Sequence, residues 1–306
     1  MSNKAVLAGG SGFIGRAVAQ HLRALGWEVV VLTRRPRPRD DGIREVAWDA
    51  RTAGAWVREL DGAAALVNLT GRSINCVHDE ANRREILQSR LDSVRALGAA
   101  VAGCARPPPV WVQAGAVGYY GTGPDIRTED SPPGGDALAG ICRQWEEEFA
   151  RACPATVRPV VLRLGVVLGR EGGAFPPLAR VTRFFLGGAA GSGRQGFSWI
   201  HLDDVAGIIA RACTDATMRG AYNACAPQPV DNADFMRALR SALDRPWAPP
   251  APAFAIRLAA RFILRTEPGL ILEGQFCRPA RLEQAGHRFR HPELAGALAD
   301  LTGTSA

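Results

Sequence analysis

A glycine-rich run close to the start of the chain has the composition of a phosphate-binding turn. Its seven residues, Gly9-Gly10-Ser11-Gly12-Phe13-Ile14-Gly15, match the pattern G-x-x-G-x-x-G. Gly9 allows a tight turn, Gly12 lets a pyrophosphate approach the backbone, and Gly15 lets a helix pack close to a sheet. The N-terminus of such a helix offers free N–H groups and a partial positive charge to phosphate. The run predicts dinucleotide binding, with a purely structural turn as the alternative.

The residues Thr33-Arg34-Arg35 indicate which dinucleotide this turn would bind. They follow a strand-like run at the point where an aspartate or glutamate would bind the ribose 2′-hydroxyl of NAD and repel a 2′-phosphate. A hydroxyl followed by two guanidiniums suits a dianionic phosphate instead. The sequence therefore predicts NADP as the cofactor, and arginines that merely coat the surface are the alternative.

The elements that must position these residues alternate regularly between strands and helices. Apolar, strand-like runs lie at 5–8, 28–32, 45–48, 65–69, 110–114 and 160–164, and helical patterns lie at 14–25, 81–102 and 137–152. This alternation indicates a parallel sheet with helices on both faces. The predicted fold is α/β, a Rossmann-like doubly wound parallel sheet with a smaller C-terminal substrate lobe.

The regular alternation lapses in a stretch rich in glycine and proline and then returns. We predict a dinucleotide-binding core at 1–170 that is rejoined by 203–225. The smaller, substrate-binding lobe is predicted to consist of 171–202 and 226–306.

The composition excludes several classes of protein. Of the 306 residues, 47% are hydrophobic and 22% charged, as in an ordinary globular domain. No apolar run approaches the roughly 20 residues of a membrane helix, and there is no room for a signal peptide before the first strand. The seven scattered cysteines form no C-x-x-C pair, which argues against zinc and against disulfides. We predict a cytoplasmic chain without a metal site and without a membrane partner.

The formal net charge of +7 raises the question of nucleic acid. The arginines are spread along the chain, however, and no nucleic-acid motif accompanies them. Arginine equally suits anionic small molecules, because its planar fork pairs with phosphate and carboxylate. We therefore predict a small-molecule substrate and no nucleic-acid partner, and a homodimer is left open.

Further motifs follow the glycine turn in order along nearly the whole chain. They are VNLTG at 67–71, SR at 89–90, AVGYYG at 116–121, EDSP at 129–132, LGVVLG at 164–169, GSGRQ at 191–195, SWIHLDD at 198–204, NACAP at 223–227 and GHRF at 286–289. This series resembles the extended short-chain dehydrogenase/reductase superfamily. Within it, the chain is most similar to the atypical, NADP-dependent nucleoside-diphosphate-sugar epimerase-like branch.

The resemblance implies cofactor contacts beyond the glycine turn and the residues Thr33-Arg34-Arg35. Those at the ends of the fourth, fifth and sixth strands are Leu69, Thr70, Gly71, Ala114 and Leu164. Glu85 and Arg90, on the helix after the fourth strand, match positions that face the cofactor in such proteins. For these two residues, a solvated helix face is the alternative reading.

The sequence also departs from the pattern of that branch. Where relatives commonly carry Arg-Trp-Thr, this chain has Val77-His78-Asp79. Where many carry serines at the end of the fifth strand, it has Gln113-Ala114-Gly115-Ala116. We therefore expect its substrate-facing chemistry to differ from theirs.

The catalytic pair of ordinary short-chain dehydrogenases is missing. In those enzymes a lysine lowers the pKa of a tyrosine in Tyr-x-x-x-Lys, so that the tyrosine can transfer a proton near neutral pH. This chain has Lys4 as its only lysine, and Leu138-Ala139-Gly140-Ile141-Cys142 stands at the expected place. The usual proton-transfer machinery is therefore absent.

Substitutes for that pair can be named from the sequence. Tyr120 is the best candidate for a catalytic hydroxyl, because it is predicted to project from the loop after the fifth strand toward the nicotinamide; a pocket wall is the alternative. Cys142 is expected to be a buried, inert thiol. His201 is expected to brace a loop while Asp203 or Asp204 caps the next helix. Arg163 is either an anion clamp or part of a structural ion pair.

Two functions remain open from the sequence. The first is an NADP-dependent oxidoreductase or epimerase that acts on an unknown substrate, such as a nucleotide sugar, with a nonstandard proton donor. The second is a noncatalytic NADP(H)-binding or redox-sensing protein. Fold alone does not decide between them.

Overall fold

A parallel β-sheet forms the centre of the molecule. The computed structural model describes residues 3–303, without the side chains of 263 and 264, so the predicted domain ends at 1–2 and 304–306 lie outside the described residues. Seven of the described strands pair only in parallel, in the order β12-β7-β5-β4-β1-β2-β3. They are β1 (Lys4–Ala8), β2 (Glu28–Thr33), β3 (Arg44–Ala47), β4 (Ala65–Asn68), β5 (Val110–Ala116), β7 (Arg158–Leu164) and β12 (Gly220–Ala224).

Helices cover both faces of this sheet. Helices α1 (Phe13–Ala24) and α5 (Leu202–Thr214) pack together on one face, and α2 (Glu80–Ala102) and α3 (Ala137–Ala152) pack together on the other. Strand side chains point alternately to the two faces, so the strands are apolar on both and form two buried clusters. The predicted doubly wound α/β fold is confirmed, and the division into a core and a substrate lobe stays a prediction.

The remaining elements form smaller units beside the main sheet. Short strands are β6 (Ile126–Arg127), β8 (Val166–Gly169), β9 (Gly172–Gly173), β10 (Gly196–Phe197), β11 (Trp199–His201), β13 (Val230–Asp231) and β14 (Phe276–Cys277). Helices are α4 (Phe175–Arg183), α6 (Asn232–Ala242), α7 (Ala253–Ala259), α8 (Gly269–Leu272), α9 (Ala280–Gln284) and α10 (Leu294–Thr302). Short 3₁₀ segments lie at Ala55–Glu59 and Val117–Tyr120, and a π-helical turn at Ala260–Leu264 continues α7. Among residues 3–303, no helix combines the length and apolarity needed to cross a bilayer.

Helix α4 was not expected from the sequence, where its segment reads as rich in glycine and proline. Pro176 and Pro177 lie in its first turn. Proline is tolerated there because the N–H groups of a first turn have no partner within the helix. The prolines therefore begin this helix rather than prevent it.

The junction between α5 and the C-terminal segment corrects one expectation. The Nδ1 atom of His201 itself accepts the N–H of Asp203 at 3.2 Å and caps α5. Asp204, instead of capping, accepts the backbone N–H groups of Arg290 and His291 at 2.6 and 3.0 Å. The ring of His291 also lies against that of His201, with centroids 3.9 Å apart. The contacts of His201 and Asp204 with Arg290 and His291 therefore fasten the C-terminal segment to β11 and the start of α5.

One group of side chains at this junction has the composition of a metal site. His201, Asp203 and His291 each place a potential ligand atom within 4.8 Å of the other two. Nδ1 of His201 is already bonded to a backbone N–H, and the carboxylate of Asp203 pairs with Arg290 at 2.9 Å. Two of the potential ligand groups thus have protein partners, whereas the Nε2 atoms of His201 and His291 are buried without a hydrogen bond among the described residues.

We expect His201 to make stability depend on pH. Burial, and secondarily the neighbouring His291, lowers the pKa of His201 to about 4. The unfolded chain, with an ordinary histidine pKa of about 6.5, then binds more protons than the folded one between these values. This contribution is complete above about pH 6.5 and is lost as the pH falls toward 4, at a cost of about 3 kcal/mol at most. In denaturant unfolding across this range, the free energy of unfolding should depend less steeply on pH for His201→Gln than for the wild type. Equal pH dependence in the two proteins would contradict this prediction.

Candidate functional site

The turn between β1 and α1 packs so closely against its neighbours that several of its positions have no room for a side chain. Gly9 has φ +78°, and a Cβ atom there would lie 3.0 Å from the carbonyl carbon of Leu69. At Gly15 a Cβ atom would lie 2.5 Å from the carbonyl oxygen of Gly9. Gly10, to which the sequence analysis gave no role, would meet the Val31 methyl groups of β2 at 2.7 and 2.9 Å. The three glycines therefore let α1, β2 and the loop after β4 converge.

Gly12 differs from these three glycines, because its missing side chain faces open space. It precedes α1 with an extended backbone, and the nearest atom to an added Cβ is the Gly9 carbonyl oxygen at 3.4 Å. Within the described part of the chain, no side chain caps the helix and its first turn holds no acidic residue. The free N–H groups at this end, beginning at Phe13 and Ile14, can therefore receive an anion.

The end of β2 adds polar groups beside the turn. Thr33 is buried, and its hydroxyl lies 2.9 Å from the hydroxyl of Ser11. Arg34 and Arg35, the next two residues, are exposed. The structure thus brings the hydroxyl of the turn to the hydroxyl of Thr33 and leaves two guanidiniums free to approach a phosphate.

The loop after β4 continues this site. Asn68 accepts the N–H of Thr70 at 3.0 Å and donates to Gln113 on β5, also at 3.0 Å. Leu69 lies against Gly9, and the hydroxyl oxygen of Thr70 is buried without a partner among the described residues. Because buried hydroxyls usually have a partner, this orphaned oxygen suggests a bound group beside the turn.

Glu85 and Arg90 on α2 both contact the loop after β4. Glu85 is exposed and pairs with Arg72 in the loop after β4. Arg90 donates to the backbone carbonyls of Arg72 and Ile86 at 3.0 and 2.9 Å. An added Cβ on Gly71 would lie 3.3 Å from the Arg90 guanidinium carbon, so the arginine side chain packs directly against this loop. Both side chains therefore contact this loop, and their role as cofactor contacts stays a prediction.

Ala114 and Leu164 occupy the carboxyl half of the sheet. Ala114 is buried within β5, and Leu164 ends β7 and is half-buried between the two core clusters. Their small or apolar side chains can form a wall and cannot move protons.

Tyr120 belongs to a buried network of polar groups. Arg163 on β7 binds both carboxylate oxygens of Glu146 on α3 at 2.8 Å and donates to the Tyr120 hydroxyl at 2.7 Å. That hydroxyl in turn donates to Asn223 on β12 at 2.7 Å. The Arg163 guanidinium also lies 3.6 Å from the centre of the Tyr119 ring. The structure therefore favours the structural ion pair for Arg163 over the anion clamp.

This environment does not prepare Tyr120 or Cys142 for proton transfer. Burial raises the pKa of the Tyr120 hydroxyl above its usual range, although Arg163 and Asn223 act in the opposite direction. Burial likewise raises the pKa of the Cys142 thiol to about 12. Both groups stay protonated near neutral pH, and the hydroxyl hydrogen of Tyr120 is already directed at Asn223. Of the two roles left open for Tyr120, these contacts favour the pocket wall.

Two family models match different parts of the chain. The model of the NAD dependent epimerase/dehydratase family matches residues 5–225, and a domain of unknown function, DUF1731, matches residues 251–301. Epimerase family protein SDR39U1 of Bos taurus is 37% identical over 304 residues, 97% of this chain and 99% of that protein. Epimerase family protein YfhF of Bacillus subtilis is 34% identical over 298 residues and covers 96% of each chain.

Solved structures of similar proteins share the same fold. The crystal structure of human SDR39U1 (isoform 2) with NADPH has a TM-score of 0.88 at 34% identity and covers 99% of this chain and 100% of that chain. A nucleoside-diphosphate sugar epimerase from Corynebacterium glutamicum has a TM-score of 0.80 at 32% identity. It matches 99% of this chain but only 59% of its own length.

Replacing Tyr120 by Phe tests which role the hydroxyl has. The variant leaves the buried Arg163 and Asn223 without one partner each, so we expect the free energy of unfolding to fall by about 1–3 kcal/mol. Tyr119→Phe is the matched control, because no described group bonds the Tyr119 hydroxyl, and it should unfold like the wild type. If Tyr120 were instead the proton donor, any turnover would fall by about 10²-fold in Tyr120→Phe with little change in stability.

Proposed function

We propose that this chain, which belongs to the NAD dependent epimerase/dehydratase family, binds NADP(H) at the turn between β1 and α1. The ordered motifs predicted this membership, and the family match over residues 5–225 confirms it. The observation that carries the proposal is the uncapped start of α1 at Gly12, beside paired hydroxyls and two free guanidiniums. The NADPH in the crystal structure of human SDR39U1 supports this choice of cofactor.

The residues around the turn fit the pyrophosphate, the 2′-phosphate and the nicotinamide end of NADP(H). The N–H groups of α1 and the open space at Gly12 suit the pyrophosphate. Ser11 and Thr33 can donate to a 2′-phosphate, and Arg34 and Arg35 can neutralise it. Thr70 lies beside the turn in the loop after β4, and its hydroxyl has no partner among the described residues; Leu69 and Gly71 of this loop would also line the dinucleotide. Ala114 and Leu164 remain proposed contacts toward the nicotinamide.

We propose further that the chain is an oxidoreductase or epimerase on a small-molecule substrate that remains to be identified, with a nucleotide sugar as one candidate. NADP(H), when bound, supplies hydride transfer to or from a carbon atom. The chain's own residues would bind and orient the cofactor and the substrate. Tyr120, Arg163 and Asn223 are hydrogen-bonded to one another and would form part of the pocket wall. Proton transfer is left to water or to the substrate, because the Tyr-x-x-x-Lys pair is absent.

A noncatalytic NADP(H)-binding or redox-sensing role is the second candidate. The observation that favours it is the buried hydroxyl of Tyr120, which is already bonded to Arg163 and Asn223, together with the burial that raises the pKa of the Cys142 thiol. Two incubations separate these candidates: the protein with NADPH and a panel of carbonyl compounds, and the protein with NADP⁺ and a panel of nucleotide sugars, so that a hydride donor or a hydride acceptor is present as each reaction requires. Oxidation of the nicotinamide, or isomerised sugar, supports the enzyme; tight binding without either supports the sensor.

We expect NADP(H) to bind at least tenfold more tightly than NAD(H). One charge-assisted phosphate contact of about 1.5–3 kcal/mol is sufficient for that ratio. Arg34→Ala should weaken NADP(H) far more than NAD(H) in a fluorescence titration. Arg58→Ala removes an arginine whose side chain is 77% exposed elsewhere on the surface and should change neither affinity. Equal affinities in the wild type would refute the assignment of the 2′-phosphate to this site.

We expect Gly12→Val to abolish cofactor binding in a protein that still folds. The extended backbone accepts any residue, and the branched side chain would enter the open space proposed for the pyrophosphate. Circular dichroism should match the wild type, while fluorescence transfer to the nicotinamide is lost. Gly135→Val is the control, since an added Cβ there meets no atom within 4 Å. Retained binding in Gly12→Val would mean that the dinucleotide lies elsewhere.

A further inference from the structure

Two segments of the chain carry its most exposed large apolar side chains. Of the large apolar residues described, those at least 60% exposed all lie within 184–186 and 247–262. In the first segment, which follows α4, they are Phe184, Phe185 and Leu186. Monomeric soluble proteins rarely expose a contiguous apolar patch of this kind without a binding partner.

Hydrogen bonds join the second segment to the backbone that follows the first segment. The N–H of Ala251 donates to the carbonyl of Ala189 at 2.8 Å, and that of Gly191 donates to Ala251 at 2.9 Å. The Arg245 guanidinium lies 5.4 Å from the centre of the Phe185 ring. We call the surface formed by 184–186 and 247–262 the amphiphilic face.

A helical stripe forms the longest part of the amphiphilic face. Phe254, Leu258 and Phe262 recur every four residues along α7 and the π-helical turn, and they are 73%, 61% and 68% exposed. Residues at this spacing lie on one side of a helix. Arg257 and Arg261 recur at the same spacing beside the stripe and are exposed. The helix thus presents an apolar row flanked by cations, as helices at membrane surfaces do.

The two stretches of sequence that carry this face contain basic residues and no acidic ones. The stretch 172–202 contains three arginines and the stretch 245–266 contains four, and neither contains an aspartate or glutamate. These seven arginines equal the chain's whole formal net charge of +7, so the rest of the sequence is balanced. A surface that carries both these arginines and exposed apolar side chains is complementary to a partner that is anionic and apolar.

A cavity beside Trp247 adds to this character. It has a volume of about 660 Å³ and is lined by the side chains of Arg237, Arg240 and Arg245, with Asp244 also contributing. Trp247 itself is 74% exposed. Guanidiniums next to an indole suit a phosphate group at the boundary between water and hydrocarbon, where tryptophan is enriched.

We propose that the amphiphilic face docks on the surface of an anionic lipid bilayer. Phe254, Leu258 and Phe262 enter the region between headgroups and acyl chains, and the arginines beside them pair with lipid phosphates. A second copy of this chain is a poorer occupant, because symmetric pairing would bring the two sets of arginines together. The helix lies along the membrane and does not cross it.

Vesicle flotation with the full-length protein tests this proposal. We compare vesicles of phosphatidylcholine alone with vesicles that contain about one third phosphatidylglycerol. We expect the partition coefficient to be at least tenfold higher on the anionic vesicles and to fall as salt is raised, because screening weakens the arginine–phosphate pairs. Equal partitioning on both vesicles, or none on either, would overturn the proposal.

Paired variants identify the surface that binds. Phe254→Ser with Phe262→Ser, and separately Arg257→Gln with Arg261→Gln, should each lower the partition coefficient at least tenfold. Leu25→Ser is the apolar control, because this residue is 56% exposed at the end of α1, and Arg84→Gln is the charge control on α2. Thermal unfolding confirms that every variant folds.

Two results would contradict the assignment of this face. Vesicle binding that survives both paired variants would place the lipid contact elsewhere. A dimer in light scattering that dissociates in the double serine variant, without vesicle binding by the wild type, would assign the face to a second copy.

Discussion

The carbonyl oxygen of Gly9 is the atom around which the candidate cofactor site is built. It accepts the N–H of Gly12 at 3.1 Å, and the Cα of Gly15 packs so near that an added Cβ would lie 2.5 Å away. This one atom therefore sets where α1 starts, how closely the helix approaches the sheet, and which N–H groups stay free. The loop after β4 packs on the same turn, so its position depends on the same close approach. A larger residue at Gly15 would displace the helix whose N-terminus is the candidate anion site.

Polar groups at the carboxyl edge of the sheet are committed mainly to structure. Arg163 is bonded to Glu146 and Tyr120, and Glu129 accepts the backbone N–H groups of Asn223 and Arg281 at 2.9 and 3.3 Å. Buried charges are tolerated only when they are paired in this way. The side chains that connect the elements at this edge, such as Arg163 and Glu146, are therefore not free to exchange protons with a substrate. The site is therefore better suited to hold and orient than to act as acid or base.

The sequence predicted the features that depend on local rules. The glycine spacing, the hydroxyl and arginines after β2, and the alternation of strands and helices follow from backbone geometry and periodicity, and all appear in the structure. The surroundings of Tyr120 could not be predicted, because its partners Arg163 and Asn223 come from strands distant in the sequence. The need for Gly10 likewise arises from Val31 on a neighbouring strand. The stripe on α7 was visible as a four-residue spacing but was not singled out, because sequence alone does not tell an exposed apolar row from a buried one.

The position of β12 in the sheet affects how the chain can fold as it is synthesised. This strand pairs with β7 at the edge of the sheet, and α5 covers the same face of the sheet as α1. Both β12 and α5 lie after residue 200 in the sequence. A nascent chain that ends before them exposes an unpaired strand edge and half of an apolar face, which is the kind of surface that attracts other strands. The ribosome must therefore synthesise more than two thirds of the chain before the central sheet and its helical cover are complete.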